Sequence, residues 1–410
     1  MKRQVLLILL GKFTPALLAF GLTASFGLAG FGEFRLYLSQ AFLVMGLVTA
    51  GFVPAFVAYP RRHGHATPPV AWAFLALASI LAAAIMLAIL QPAALATSAL
   101  VVLLVFLINV AESRTVIQQR PTVSAVVSLA GGSLLYLAFW VIRPITQSAE
   151  TATFVSALIG LTSLAALNGY IHRTRPKARS GEQGALTLMR WALWQFQFIF
   201  GPGVVRLYVN LIPVVAGYVS GAEAVGVVSL AIAVGTIFSF LPTRYLHINL
   251  GVLAGRRNTI SHGLDTRTIE RLRHVRLLSF TGGLLILMLI YVGGDWIELL
   301  IGRDSGFFDH LWAAVGFLAY PVINVLIGPA GTLLAQTGHQ REVQKAAIAS
   351  GTLFIAAVAA TAYYAPDNVF LFGIVYLLAR TLNDLLNLRS LQTKLDGALD
   401  LSLIAKNEPV

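Results

Sequence analysis

Five charged residues lie inside long apolar stretches of the sequence: Lys12, Arg206, Arg244, Arg380 and Asp384. A charge in hydrocarbon costs about 3 kcal/mol on insertion scales, so such residues usually face a cavity or a partner. Four of them are cations. Because arginine offers bidentate hydrogen bonds to phosphate oxygens, this excess of positive charge predicts a cavity that attracts an anion such as a diphosphate.

Arg206 is the cation on which this interpretation depends most. It follows the triplet Gly201-Pro202-Gly203, which we expect to loosen or kink a helix. Asn210 lies one turn later, on the same predicted face. Both are predicted to line the cavity. A structural hydrogen bond between helices is the alternative role for Arg206.

Lys12, Arg244 and His247 are the other predicted cavity residues. Lys12 either lines the cavity or snorkels to the inner headgroups from the start of the first helix. Arg244 follows Pro242, and His247 at i+3 shares its helical face. Snorkelling to the cytoplasmic interface is the alternative for Arg244.

Arg380 and Asp384 are spaced i and i+4, which favours an ion pair within one helix near the inner interface. The functional alternative for Asp384 is the binding of a coupling proton or ion. Neutral polar residues also occur in apolar runs: Asn109, Asn324 and Gln336. Hydrogen bonds between helices explain them as well as contact with a ligand does.

The charged and polar residues named above are predicted to lie in membrane helices. The chain has 410 residues, of which 57% are hydrophobic and 11% charged, whereas a soluble domain is about 25% charged. The apolar run that begins in residues 1–10 continues without a cleavage site, so it is predicted to be a span rather than a signal peptide. About twelve runs reach the length of a membrane helix: 5–30, 34–59, 69–90, 94–116, 122–142, 152–171, 188–216, 223–252, 275–301, 308–337, 344–364 and 368–388.

The basic residues predict the orientation of these spans. Net charge is +12, which in a soluble protein would suggest nucleic acid. With the N-terminus in the cytoplasm, however, 22 of the 29 Lys and Arg residues lie on the cytoplasmic side and 3 on the opposite side. We therefore predict a bacterial inner-membrane protein with both termini in the cytoplasm and no nucleic-acid partner.

Two short segments suggest that the chain is duplicated. Residues 32–39 and 222–229 are offset by 190 positions, and both carry Glu and Ser at equivalent places. Each is predicted to mark an external turn between the first two helices of its half. Repeated six-helix halves are a transporter architecture. The predicted domains are a lobe at 1–172, a cytoplasmic linker at 173–187, a lobe at 188–392 and a cytoplasmic tail at 393–410.

At four features the chain resembles the polysaccharide and O-antigen flippases of the multidrug/oligosaccharidyl-lipid/polysaccharide (MOP) exporter superfamily. Three are segments: 28–37, 206–226 and 328–341. The last, Gly328-Pro through Arg341, is the most specific. The fourth is the spacing of the spans. The resemblance implies an all-α, MATE-like bundle of about twelve transmembrane helices in two six-helix lobes. It also implies a flippase that moves a polyprenyl-diphosphate-linked oligosaccharide to the outer leaflet by alternating access.

Several alternatives and partners accompany this prediction. A multidrug antiporter is one alternative, which would favour buried carboxylates facing the transport pathway. A non-transporting scaffold is another, and it would tolerate the loss of Arg206. An enzyme is disfavoured because the external gaps are short. No cofactor or metal is predicted, since the chain lacks a P-loop motif and His63 and His65 stand alone. The predicted partners are the lipid-linked oligosaccharide, anionic lipids beside the basic segment 266–276, and a polysaccharide polymerase or chain-length machinery.

Orientation can be tested with single thiols, because the chain contains no cysteine. Ser180→Cys in the predicted linker should react with an impermeant maleimide only after the membrane is permeabilised. Asp304→Cys, in a predicted external gap, should react in intact spheroplasts. The opposite labelling pattern would reverse the predicted orientation.

Overall fold

The structure of the chain is a computed structural model. This structure describes residues 2–48, 70–89, 95–117, 121–173, 188–255, 266–294, 306–336 and 339–394, together with residues 52, 55 and 59. Nearly all of these residues are helical. The predicted linker from residue 174 and the tail from residue 395 lie outside the described residues.

Helix follows helix along the described chain. Two short 3-10 turns, Arg143–Ile145 and Phe308–His310, precede α5 and α9. The α-helices are α1 Lys2–Val48, α2 Val70–Ile89, α3 Leu95–Ile117, α4 Pro121–Ile142, α5 Ala149–Arg173, α6 Leu188–Val219, α7 Ala222–Gly255, α8 Thr266–Val292, α9 Leu311–Ile327, α10 Ala330–Gln336, α11 Gln340–Tyr364 and α12 Val369–Lys394.

Helix α1 contains the first two predicted spans. Its 47 residues would be about 70 Å long if straight, more than twice the hydrocarbon thickness. Gly27 breaks it with φ 70° and ψ 171°, a conformation that residues with a Cβ rarely adopt. The predicted turn at 32–39 is therefore misplaced: the chain turns at Gly27, and residues 32–39 are helical.

Several helices are long and apolar enough to cross a bilayer. Within the described residues these segments are Thr14–Gly46, Ala149–Ile171, Arg273–Val292, Phe308–Ile327, Gln340–Tyr364 and Val369–Lys394. Shorter apolar helices occur at Ala99–Ile108, Ser133–Ile145, Gly203–Val219 and Ala222–Phe238. The predicted all-α membrane fold is confirmed. Placement of the termini stays a prediction.

The helices gather into two compact units, residues 1–230 and 231–410. In the first unit, α1 packs along α4 and α6, and α3 packs along α5. In the second unit, α12 packs along α9 and α11, while α8 contacts α9. The predicted lobe boundary within 173–187 stays a prediction.

Glycine permits a close contact between the two repeat-related segments of the first unit. A Cβ on Gly32 would overlap the carbonyl oxygen of Ala222, the residue that the repeat pairs with Gly32. A Cβ on Gly226 would overlap the carbonyl oxygen of Leu28. Such backbone approach is typical of small residues between membrane helices. Gly32 and Gly226 are therefore required by the contact between these two segments rather than by a turn.

A similar contact joins α9 and α12 in the second unit. A Cβ on Gly316 would overlap the backbone of Gly373. The ring of Phe317 lies beside Gly373, 3.2 Å from where its Cβ would be. This approach brings the later turns of α9 within hydrogen-bond reach of α12.

Gly226→Ala should destabilise the protein by about 1–3 kcal/mol, because the added methyl group meets backbone rather than a movable side chain. Gly169→Ala is the matched control, since Gly169 is helical in the same unit and has open space around its Cβ position. Thermal unfolding in detergent should show a lower Tm for the first variant alone. Equal Tm values for both variants would contradict the contact.

Candidate functional site

Arg206 lies near the middle of the 32-residue helix α6, which continues as helix through residues 201–203. Its aliphatic stem packs on α1: a Cβ on Gly46 would lie 3.0 Å from both Cβ and Cγ of Arg206. The side chain is exposed, and within the described part of the chain its guanidinium has no hydrogen-bond or ion-pair partner. Glycine at position 46 thus leaves room for a cation on an apolar helix.

Asn210 was predicted to line the cavity on the same helical face as Arg206, and its contact with a ligand stays a prediction. Asn210 is only 3% exposed, and its Nδ2 donates a hydrogen bond to the Arg206 carbonyl oxygen at 2.9 Å. An asparagine one turn after a residue can fold back on that residue's carbonyl instead of pointing outward. Asn210 therefore supports the turn that carries Arg206.

Three predicted cavity residues fall where the structure gives no side-chain position. Lys12 belongs to α1, while Arg244 and His247 belong to α7, and the backbone at each is helical. Their side chains lie outside the described residues, as do His63 and His65. Their predicted roles stay predictions.

Asp384 is the centre of a polar network between α9 and α12. Its Oδ2 accepts hydrogen bonds from the Tyr320 hydroxyl at 2.7 Å and from Asn324 Nδ2 at 2.7 Å. Asn324 Nδ2 also donates to the Tyr320 hydroxyl at 3.0 Å. Asn324 thus makes the interhelical hydrogen bond that one of its two predicted roles required.

Arg380 lies against the ring of the same tyrosine. Its Cζ is 4.4 Å from the centroid of Tyr320 and 5.9 Å from that of Tyr376. The two rings meet edge to face at 5.4 Å, so they form a cradle for the guanidinium. The predicted pair Arg380 and Asp384 is thereby connected through α9, because both contact Tyr320.

Two further side chains extend the network to α11. The Asn383 side chain donates to Asp384 Oδ1 at 3.4 Å and accepts from the Ser350 hydroxyl at 3.2 Å. Ser350 is fully buried in α11. Three helices of the second unit thus share one hydrogen-bonded cluster. Removing one charge from such a cluster is costly, since the other is left uncompensated.

Arg276 has a structural role that the sequence did not indicate. It was counted among the cytoplasmic charges, yet it is 1% exposed. Its Nε donates to the Val325 carbonyl oxygen at 2.9 Å, and its Nη2 donates to the carbonyl oxygen of Leu326. These are orphan carbonyls at the end of α9, where a cation also meets the negative end of the helix dipole.

Gly328 is the first residue of the segment 328–341, the most specific of the three segments of the family resemblance, and the structure shows why glycine is needed there. It ends α9 with φ 86°, and a Cβ there would lie 2.9 Å from Arg276 Cζ. Only glycine satisfies both requirements. The short helix α10 then packs on α12: a Cβ on Gly331 would lie 3.1 Å from Asn387 Nδ2. Helix α10 therefore contacts α12 at Asn387, one turn after Asn383 of the network.

These arrangements differ in what they can bind. Arg206 presents an exposed cation on an apolar helix and suits an anion. Asp384 and Arg380 together have no net charge and are held by aromatic and amide groups. Sequence reasoning missed Tyr320, Ser350 and Asn383. The i,i+4 spacing of Tyr320 and Asn324 on one face was the available signal.

Comparison with solved structures identifies the fold. One match is an inward-facing multidrug resistance MATE transporter of the MOP superfamily, with TM-score 0.55 and 14% identity over 94% of this chain and 95% of that one. A variant of the Vibrio cholerae MATE transporter VcmN gives 0.54 and 12%, over 95% and 96%. The chain has the MATE transporter fold.

A third match of the same fold comes from Pyrococcus furiosus. It is a MOP superfamily transporter whose binding pocket of reverse polarity is described as suggesting a different function. TM-score is 0.52 and identity 13%, over 97% of this chain and 95% of that one. No family model and no curated protein matches the chain.

Arg276→Met should lower the stability of the MATE fold of this chain by about 2 kcal/mol or more, because two buried carbonyls lose their donors. Arg273→Met is the matched control, one turn earlier on α8 and partly exposed. Thermal unfolding in detergent should separate the two variants. A control that loses as much stability as Arg276→Met would contradict the capping role.

Proposed function

We propose that this chain is a flippase of the bacterial inner membrane. It moves a polyprenyl-diphosphate-linked oligosaccharide from the cytoplasmic to the outer leaflet, by alternating access, for surface polysaccharide synthesis. The observation that carries the proposal is the exposed guanidinium of Arg206 on an apolar helix.

The position of Arg206 supports an anionic substrate. The segment Gly203–Val219 contains no Asp or Glu. An arginine facing lipid at this depth costs several kcal/mol, whereas one facing a water-filled path is tolerated. A diphosphate entering that path would offset the cost through bidentate, charge-assisted hydrogen bonds. Lys12, Arg244 and His247 are proposed as further contacts.

Charge polarity is the property by which we choose between functions for this chain. The Pyrococcus furiosus transporter joins the MATE architecture to a pocket of reverse polarity. In this chain the intramembrane cations outnumber the acids. We take that sign to favour an anionic lipid-linked glycan, with the prenyl tail remaining in lipid. A polysaccharide polymerase or chain-length machinery would receive the product.

Multidrug export is the second candidate. It is favoured by the matches that are themselves multidrug resistance transporters. Asp384 is the intramembrane carboxylate that an organic cation would need. Its Oδ2, however, already accepts hydrogen bonds from Tyr320 and Asn324. An organic cation would therefore meet a carboxylate with one oxygen already hydrogen-bonded within the protein.

The deciding experiment is translocation in liposomes with a fluorescent undecaprenyl-diphosphate oligosaccharide. Arg206→Ala should reduce the initial rate by about tenfold or more, since a charge-assisted hydrogen bond contributes about 1.5–3 kcal/mol. Arg206→Lys should also lower the rate, because an ammonium group cannot bind bidentately. Arg173→Ala is the control, an exposed arginine at the end of α5 in the same unit.

The other outcomes discriminate among the candidates. Unchanged thermal unfolding of both Arg206 variants would show that lost transport reflects lost substrate contact. Export of a cationic dye without translocation of any glycan would establish the multidrug candidate. A wild-type protein that moves neither, even with an imposed potential, would favour the scaffold.

A further inference from the structure

We propose that one end of the hairpin formed by α11 and α12 binds the headgroup of an anionic phospholipid. Four exposed basic residues define this cationic end of the hairpin: Arg341, Lys345, Arg389 and Lys394. They are different residues from those of segment 266–276, beside which the sequence predicts anionic lipids. The inference does not depend on which substrate the chain transports.

The hairpin brings the four cations to the same end of the two helices. A four-residue connection, 365–368, joins α11 to α12, so the helices run antiparallel. The Ser350 hydroxyl donates to Asn383 Oδ1 at 3.2 Å, which marks one level of the hairpin. Lys345 lies five residues before Ser350, and Arg389 lies six residues after Asn383. At 1.5 Å per residue, these two cations lie about 8 and 9 Å beyond that level, and the other two lie further along the same ends.

Most of the charge at this end is uncompensated. Within the described segments 339–349 and 385–394, Glu342 is the one acidic residue. Its Oε1 is 3.3 Å from Lys345 Nζ, but the Lys345 side chain is still 74% exposed. Within the described part of the chain, Arg341, Arg389 and Lys394 have no hydrogen-bond or ion-pair partner. The cationic end therefore attracts anions.

The depth of the cations matches the headgroup layer of a bilayer. At the opposite end of the hairpin, exposed aromatic rings lie on Tyr364 and Phe370, and exposed aromatic rings are typical of a membrane interface. Lys345 precedes Tyr364 by nineteen residues, and Arg389 follows Phe370 by nineteen. Both separations are about 29 Å along a helix, close to the roughly 30 Å of the hydrocarbon core. The cations thus lie at the level of the phosphates of the other leaflet.

An apolar surface leads directly to the cations. Ile348 follows Lys345 by three residues and Leu385 precedes Arg389 by four, so each cation shares a helical face with an exposed apolar side chain. Leu378 extends the apolar surface of α12 further into the span. An amphiphile uses both parts, because its acyl chains cover the apolar side chains while its phosphate meets the cations. A soluble anionic partner would leave the apolar part unused.

The probe for this site is dioleoylphosphatidylglycerol. Dioleoylphosphatidylcholine is the matched lipid, with the same acyl chains and no net charge. Native mass spectrometry of the full-length protein in detergent should give a lower apparent Kd for the anionic lipid. The double variant Lys345→Gln/Arg389→Gln should raise that Kd about tenfold or more, since each basic residue near an anionic surface contributes about fivefold.

Controls separate a local site from diffuse positive charge. Arg173→Gln/Arg273→Gln removes the same charge from α5 and α8 and should leave the Kd nearly unchanged. Lys345→Arg/Arg389→Lys keeps the charge and should bind like the wild type. Because the substituted residues are exposed, the Tm without lipid should not change. If the double variant is less stable, the single variants Lys345→Gln and Arg389→Gln give the same comparison.

Three results would overturn the proposal. The first is equal affinity of the wild type for the two lipids, and the second is an equal loss of affinity in the control pair. The third is displacement of the anionic lipid by millimolar inorganic phosphate, which would indicate a site for small anions. A protein that binds the lipid through these residues yet translocates no glycan would leave this inference standing while the flippase fails.

Discussion

A charge or a backbone carbonyl inside a membrane must find its partner in the protein or in a water-filled cavity, because hydrocarbon supplies none. Arg276 shows this constraint most directly. Its guanidinium reaches from α8 to the last carbonyls of α9, where the helix must stop. Gly328 then turns the chain away with φ 86°. This buried cation caps the end of α9 just before α10 begins, and Asn324 of the Asp384 network directly precedes the capped carbonyls.

The two units accommodate charged residues inside the membrane in different ways. Unit 1 brings backbones together through Gly32 and Gly226, and it leaves Arg206 exposed against Gly46. In unit 2, Tyr320 contacts both Arg380 and Asp384, so these two charges belong to one network. An exposed cation favours an incoming anion, whereas two opposite charges in one network compensate each other.

Charge, more than fold, distinguishes the proposed function from that of the multidrug transporters that this chain resembles. The shared architecture extends over 94% of the chain at 14% identity, so helix packing is retained while few residues are. Under the proposed function, substrate choice depends on a few polar side chains on otherwise apolar helices, and Arg206 is the side chain that carries that proposal.

The sequence by itself determined the membrane class, the approximate spans and the charged residues inside them, because hydropathy and charge are properties of neighbouring residues. It did not predict that the first turn lies at Gly27, that Asn210 folds back on α6, or that Arg276 is buried. It also missed the bond between Tyr320 and Asp384, 64 residues apart. Only the tertiary structure decided these points, since the partner of a buried polar group depends on which helices pack together.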